Sequence, residues 1–208
     1  YALARAVEIK EATGATLTVL NVGLAETEPT IRKALAIGAD DAIRVNADAR
    51  DHFFVATQIA KVAKEGGHDL ILTGKESIDY NGGAVPGLVA GMLDYGFING
   101  CVGLTVNGTS VEAIREIDGG KETLSGNFPL VVAGQKGLVE ETELRIQNMR
   151  GIMAARTKPL SVVEAEQTES KLKVVGYVKP PSRGNVTLID KDNVAELVRL
   201  LHEEAKVI

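Results

Sequence analysis

The stretch with the most chemistry in it is a glycine-loosened bend running into a helix start: Thr73-Gly-Lys-Glu-Ser-Ile-Asp-Tyr-Asn-Gly-Gly-Ala-Val-Pro-Gly87. Gly82, Gly83 and Gly87 let backbone N–H groups approach an anion, and the helix dipole favours negative charge there. A nucleotide phosphate needs that environment. Asp79, Tyr80, Asn81, Ala84 and Val85 complete the loop and the first helical turn. The spacing is neither a Walker A loop nor a G-x-G-x-x-G fingerprint, so by pattern alone a turn without a ligand is an equal alternative. A second informative strand end is Asn21-Val22-Gly23. In an open parallel sheet, ligands sit beyond the carboxyl ends of the strands, which is where both segments fall.

Other chemistries find little support. His52, His68 and His202 are scattered and show no metal-ligand spacing. Cys101 is the sole cysteine. It can form neither an internal disulfide nor a thiol metal cluster, and reads as a small core residue in a reducing compartment. No Ser/His/Asp or Cys/His arrangement stands out. Without an acid–base set, the chain reads as a binder or carrier whose chemistry comes from a cofactor. With 208 residues, 45% hydrophobic and 25% charged, it has an ordinary globular balance. The net charge of -5 argues against a nucleic-acid partner over the surface as a whole. No apolar run reaches the ~20 residues of a membrane-spanning helix.

The elements that position these ends alternate. Helices are expected over 1–11, 28–37, 52–65 and 84–93, and strands over 16–22, 41–45 and 69–73. Thr27 and Asp51 are the expected N-caps, and Gly38 is the expected left-handed stop of the second helix. Such alternation predicts an open, mainly parallel α/β sheet with helices on both faces, a Rossmann-like fold for binding adenine nucleotides. The first helix starts without an N-cap, as though already under way, and the expectation is that a strand and loop precede it. After residue 100 the rhythm changes. Asn107-Gly108 and Asp118-Gly119-Gly120 signal hairpins, so strands near 102–106, 111–117, 121–125 and 130–133 form an antiparallel meander. Arg115 and Glu116 flank the second hairpin, and a solvated edge is their default reading. From Arg156 the chain turns polar and Pro-rich. Residues 1–155 are therefore expected to form the nucleotide-binding domain, with 156–208 as an extended arm. The arm ends in a helix capped by Asp190 and embraces a partner chain; folding back on its own sheet is the alternative.

Four blocks carry a family resemblance. They are Thr30-Ile-Arg-Lys-Ala-Leu-Ala-Ile-Gly-Ala-Asp40, Asp69-Leu-Ile-Leu-Thr-Gly-Lys-Glu-Ser-Ile-Asp79, Arg115-Glu-Ile-Asp-Gly-Gly-Lys-Glu-Thr123, and Gly151-Ile-Met-Ala-Ala-Arg156 with Lys158-Pro159. In this order they resemble the β subunit of electron transfer flavoprotein, over nearly the whole chain. The resemblance implies a heterodimer whose α subunit holds most of the redox FAD. It implies AMP as a structural nucleotide on Asp79 to Gly87 and at Val22-Gly23. It places Arg115 and Glu116 toward the flavin and the partner, and Met149 at the apolar position that docks onto acyl-CoA dehydrogenases. Electrons would pass on to a membrane quinone oxidoreductase, with no membrane insertion by this chain. The compartment would be the bacterial cytoplasm, or the mitochondrial matrix in a eukaryote. Two departures matter. The nucleotide loop lacks the usual Asp-rich stretch and Gln-Thr-Gly-Gln, so only its backbone role carries over. The family's lysine-rich run is thinned to Arg156 and Lys158, which leaves the docking partner open. The alternatives are a bifurcating, NADH-oxidising relative with a second FAD in place of AMP, and a stand-alone ATP-binding domain of the stress-protein type.

Overall fold

Short apolar runs closed by glycine become the strands of two sheets. The computed structural model describes residues 1–49 and 51–208. They divide into two units, Tyr1–Lys173 and Val174–Ile208. In the first unit, α1 (Ala2–Thr13) leads to β1 (Thr18–Val22), α2 (Glu28–Ile37), β2 (Asp41–Asn46), α3 (His52–Gly66), β3 (Leu70–Gly74) and α4 (Ala84–Leu93). The meander follows as β4 (Gly96–Asn107), β5 (Ser110–Ile117), β6 (Gly120–Asn127) and β7 (Leu130–Gly134). A short helix α5 (Met149–Ala155) and a last strand β8 (Leu160–Glu164) close the unit. One sheet is all parallel, in the order β1-β2-β8. The other is mixed, in the order β3-β7-β4-β5-β6, with β4–β5 and β5–β6 antiparallel. The expected α/β class with mainly parallel strands and an antiparallel meander is what the structure shows.

β7 shows why helices cover both faces. Every residue of this strand is buried. Strand side chains alternate between faces. Val131 packs with Ala56, Val89 and Ala90 of α3 and α4. Leu130 and Val132 pack on the opposite side with Leu138, Cys101 and Ile9 of α1. Cys101 is fully buried in that cluster, and burial pushes its thiol pKa up, away from the thiolate. It is the small core residue the sequence indicated. Both hairpins form as expected, with Gly108 and Gly119 at positive φ (63° and 84°).

Several local expectations need correction. Thr27 precedes α2 without capping it: its hydroxyl lies 2.8 Å from both Asn21 Oδ1 and Leu24 O. Gly38 stops α2 at φ 156°, outside the left-handed well, where its Cα faces Val7. β4 begins at Gly96 rather than near 102. Its first part runs parallel to β7 and its second part antiparallel to β5, with a register shift between Ile98 and Cys101 and Gly100 at φ 65°. Strand β8 lies inside the range assigned to the arm. It pairs through Leu160–Glu164 with Ala42–Asn46, and the exposed polar Ser161 and Glu164 in a five-residue run gave it the look of a linker. In the second unit, α6 (Val194–Glu203) is capped by Asn193, which accepts from the Glu196 N–H; Asp190 instead accepts from the Asp192 N–H.

Two buried polar side chains tie the segment after β8 to α3. Gln58 donates to the Glu166 carbonyl (3.0 Å) and accepts from the Glu166 N–H (2.7 Å), copying a strand pairing. Asp51 caps α3 as expected, accepting from the Phe54 N–H at 2.7 Å, and also accepts from the Ser170 hydroxyl (2.6 Å) and the Lys171 N–H (3.1 Å). The Ser170 hydroxyl, then the Phe54 N–H, hold its carboxyl down at about 2, against an ordinary 3.8. A depressed carboxylate contributes stability that is full above about pH 4 and lost as pH falls through about 2. The stability gap between wild type and Asp51→Asn is therefore expected to be constant from pH 7 to 5 and to shrink between pH 4 and 2. Denaturant unfolding at stepped pH reads it; a gap that is flat down to pH 2 would contradict this role for the Asp51 charge.

Candidate nucleotide site and docking helix

β1 and β3 deliver the two glycine-bearing ends. After Val22, the Gly23 N–H donates to the Val45 carbonyl (3.1 Å) and the Gly23 carbonyl accepts from Arg44 Nη1 (3.0 Å), so β2 holds the peptide groups on both sides of Gly23. A Cβ on Gly23 would lie 2.7 Å from Asn21 Oδ1 and from Thr27 Cγ2. A larger residue here would have to displace those side chains. Arg44 is 5% exposed and also reaches Glu28 Oε1 (3.2 Å) and Asn46 Oδ1 (2.8 Å). Sequence reasoning missed this residue. The signal was available: period-2 alternation places Arg44 on the face of Ala42, so a cation stood at a core position.

Beyond β3, Ser77 and Gly82 close the loop on itself. The Ser77 N–H donates to the Gly82 carbonyl (3.0 Å), and the Gly82 N–H donates to Ser77 Oγ (3.2 Å). Asp79 accepts from the Tyr80 N–H at 3.1 Å, and Asn81 sits at φ 54°. A Cβ on Gly82 would overlap the Tyr80 ring. Gly83 is the N-cap of α4 and brings no capping side chain; no acidic residue lies in the first turn, which begins at Ala84 and Val85. The leading N–H groups of α4 are thus left without a side-chain acceptor. Gly87 lies one turn in, where a Cβ would make ordinary contact with Phe97 Cε1 at 3.5 Å. The hydroxyl of Thr73, one residue before β3 ends, is buried without a partner among the described residues. With Pro86 lacking an N–H, the free donors of the first turn are those of Gly83, Ala84 and Val85, and no acidic residue lies in that turn, an arrangement that fits the phosphate of a nucleotide. Among the described residues no hydrogen bond joins the Gly23 end to the Ser77–Gly87 loop. No group of three or more His, Cys, Asp or Glu among them could hold a metal ion, and none of their helices is long and apolar enough to cross a membrane.

On the meander, Arg115 and Glu122 are cross-strand partners and form an ion pair, while the Gln135 amide donates to the Glu116 carboxylate. Arg115 and Glu116 are thereby held to opposite neighbours. Met149 opens α5 and is 73% exposed; Met153, four residues on and so on the same helical face, is 56% exposed. Asn148 caps this helix, accepting from the Gly151 N–H at 2.8 Å. The family resemblance implied a loop at Met149; the structure makes it the first residue of α5.

Residues 1–168 match the family described as the electron transfer flavoprotein domain. The chain is 36% identical to the electron transfer flavoprotein subunit beta of Bacillus subtilis, over all of this chain and 85% of that protein. Its identity to the subunit beta of Sus scrofa is 34%, over 90% of this chain and 75% of that one. The corresponding protein of Syntrophomonas wolfei is 33% identical, over 86% of this chain and 70% of its own length. On the α/β architecture, the glycine-built strand ends and these matches together, the chain belongs to the electron transfer flavoprotein family, with the β subunits.

Proposed function

We propose that this chain is the β subunit of a heterodimeric electron carrier. Its α-subunit partner holds the redox FAD, and this chain binds AMP as a structural nucleotide. Together they accept electrons from acyl-CoA or related dehydrogenases and pass them to a quinone oxidoreductase. The observation that supports the nucleotide reading most is the uncapped, acid-free N-terminus of α4, entered through Gly82-Gly83 at the carboxyl end of β3. Val22 and Gly23, held by Arg44, stand at the carboxyl end of β1 and are assigned to the same nucleotide. FAD supplies the electron-transfer chemistry when bound. The residues of this chain bind, orient and dock. Met149 meets the dehydrogenase, Arg115 and Glu116 face the flavin side, and the part of the arm beyond the strapped segment, from Val174 onward, embraces the α subunit.

Co-expression with the α subunit is expected to yield a yellow heterodimer. Nucleotides released from it by acid are expected to be one FAD and one AMP per heterodimer, read by chromatography and mass. Two FAD and no AMP would replace this reading with a bifurcating one. A colourless homodimer that binds ATP would overturn it.

A further inference from the structure

The helix that presents Met149 cannot hold itself in place. α5 has seven residues, well short of the ~12–15 at which an isolated helix becomes even marginally stable in water. At its end the Met153 and Ala154 carbonyls accept from the Arg156 and Thr157 N–H groups, and the Ala155 carbonyl has no such local donor among the described residues. Two cations resolve this, and they do so reciprocally. Arg32, on α2, sends Nη1 to the Ala155 carbonyl (2.8 Å) and the Lys158 carbonyl (2.7 Å), at the carboxyl end of α5. Lys158, just past α5, sends Nζ to the Leu35 carbonyl (2.9 Å) and the Ala39 carbonyl (2.5 Å), at the carboxyl end of α2. Each helix thus supplies, or is followed by, the cation that neutralises the negative pole of the other. The backbones meet directly between the two caps. A Cβ on Gly151 would overlap the Ala36 carbonyl oxygen. Ala155 is buried with Leu35 and Ala39 at the far end of the contact.

We infer that Arg32 and Lys158 are positioning residues for partner docking: paired caps that lock α5 onto α2 and present the Met149–Met153 face in one fixed orientation to an apolar pocket of the dehydrogenase. This rests on the docking reading above. A rigid face is favoured because a loose helix must be ordered at the moment of binding, which weakens affinity without changing any contact. At each cap a single cationic nitrogen spans two carbonyls, Nη1 at Arg32 and Nζ at Lys158, so each cap requires a cation with more than one N–H donor.

The test uses the heterodimer, with hydrogen exchange followed by mass spectrometry and with flavin reduction by an acyl-CoA dehydrogenase of the same organism. In the unmodified protein, amides 152–156 are expected to be protected nearly as well as those of α2. Free-peptide exchange there would overturn the lock without any variant. Arg32→Gln and Lys158→Gln are each expected to speed exchange at 150–157 about tenfold or more, leave β7 protected, and raise the KM for the heterodimer about tenfold with kcat unchanged. Arg32→Lys, which keeps the charge and several N–H donors on one nitrogen, should rescue more of this than Arg32→Gln. Unchanged exchange in the glutamine variants overturns the lock, and faster exchange with unchanged KM overturns the positioning role. Met149→Glu, run alongside, separates these outcomes from failure of the docking reading, because it alters docking while leaving exchange at 150–157 intact.

Discussion

Met149→Glu is expected to raise the dehydrogenase KM of the heterodimer at least ~30-fold. An exposed apolar anchor seated in a partner pocket is the kind of residue that contributes about 2 kcal/mol or more on truncation, and that energy is ~30-fold in affinity. A carboxylate must in addition be desolvated in the pocket. The fold should not register the change. Met149 is 73% exposed, and exposed substitutions away from special features stay within about 0.5 kcal/mol. At the first position of α5, a negative charge also complements the helix dipole. Nucleotide content and unfolding temperature are therefore expected to match wild type. Steady-state reduction of the flavin against heterodimer concentration measures the effect. An unaltered KM would remove Met149 from the docking surface.

Leu35→Ala should have the largest effect on stability, about 2–5 kcal/mol. Leu35 is fully buried on α2, in a cluster with Ile31, Ala39, Ala42 and Ala155, and with Val19 and Leu160 packed against it. These neighbours belong to α2, β1, β2, α5 and β8 or the chain beside them, so the cavity would open where five elements converge. For a chain of this size the expected fall in Tm is roughly 2–4 °C per kcal/mol, read by scanning calorimetry or fluorescence. Leu35→Met keeps the volume and should cost less than about 1.5 kcal/mol. If the two variants unfold together, the packing at this junction is not as tight as the burial indicates.

The legibility of the chain follows the range of the forces involved. The strand at 70–74, the stop at Gly67, the Asp51 cap and both glycine hairpins depend on residues within a few positions of each other, and each was readable. The glycine entry to α4 is equally local, as are the four blocks that carry the family resemblance. β8 and α5 were not readable. An edge strand in which Ser161, Val162 and Glu164 are exposed has a weaker apolar signal than the fully buried β7. A seven-residue helix with glycine at its third position has almost no propensity of its own.

The amino-acid sequence by itself determined the α/β class and the family, and it marked the glycine-built entry to α4 for which a nucleotide is proposed. These rest on periodicity, glycine conformational freedom and motif order, all written along the chain. Only the tertiary structure decided that Arg44 fixes the Gly23 peptide, that Gln58 and Asp51 strap the segment after β8, and that Arg32 and Lys158 cap each other's helices. The physical reason is separation. Arg32 meets the Ala155 carbonyl across 123 positions, and a carbonyl at a helix end has no side chain to announce its partner. Which cation satisfies it is settled when α2 and α5 close on the small patch of backbone that Gly151 leaves open.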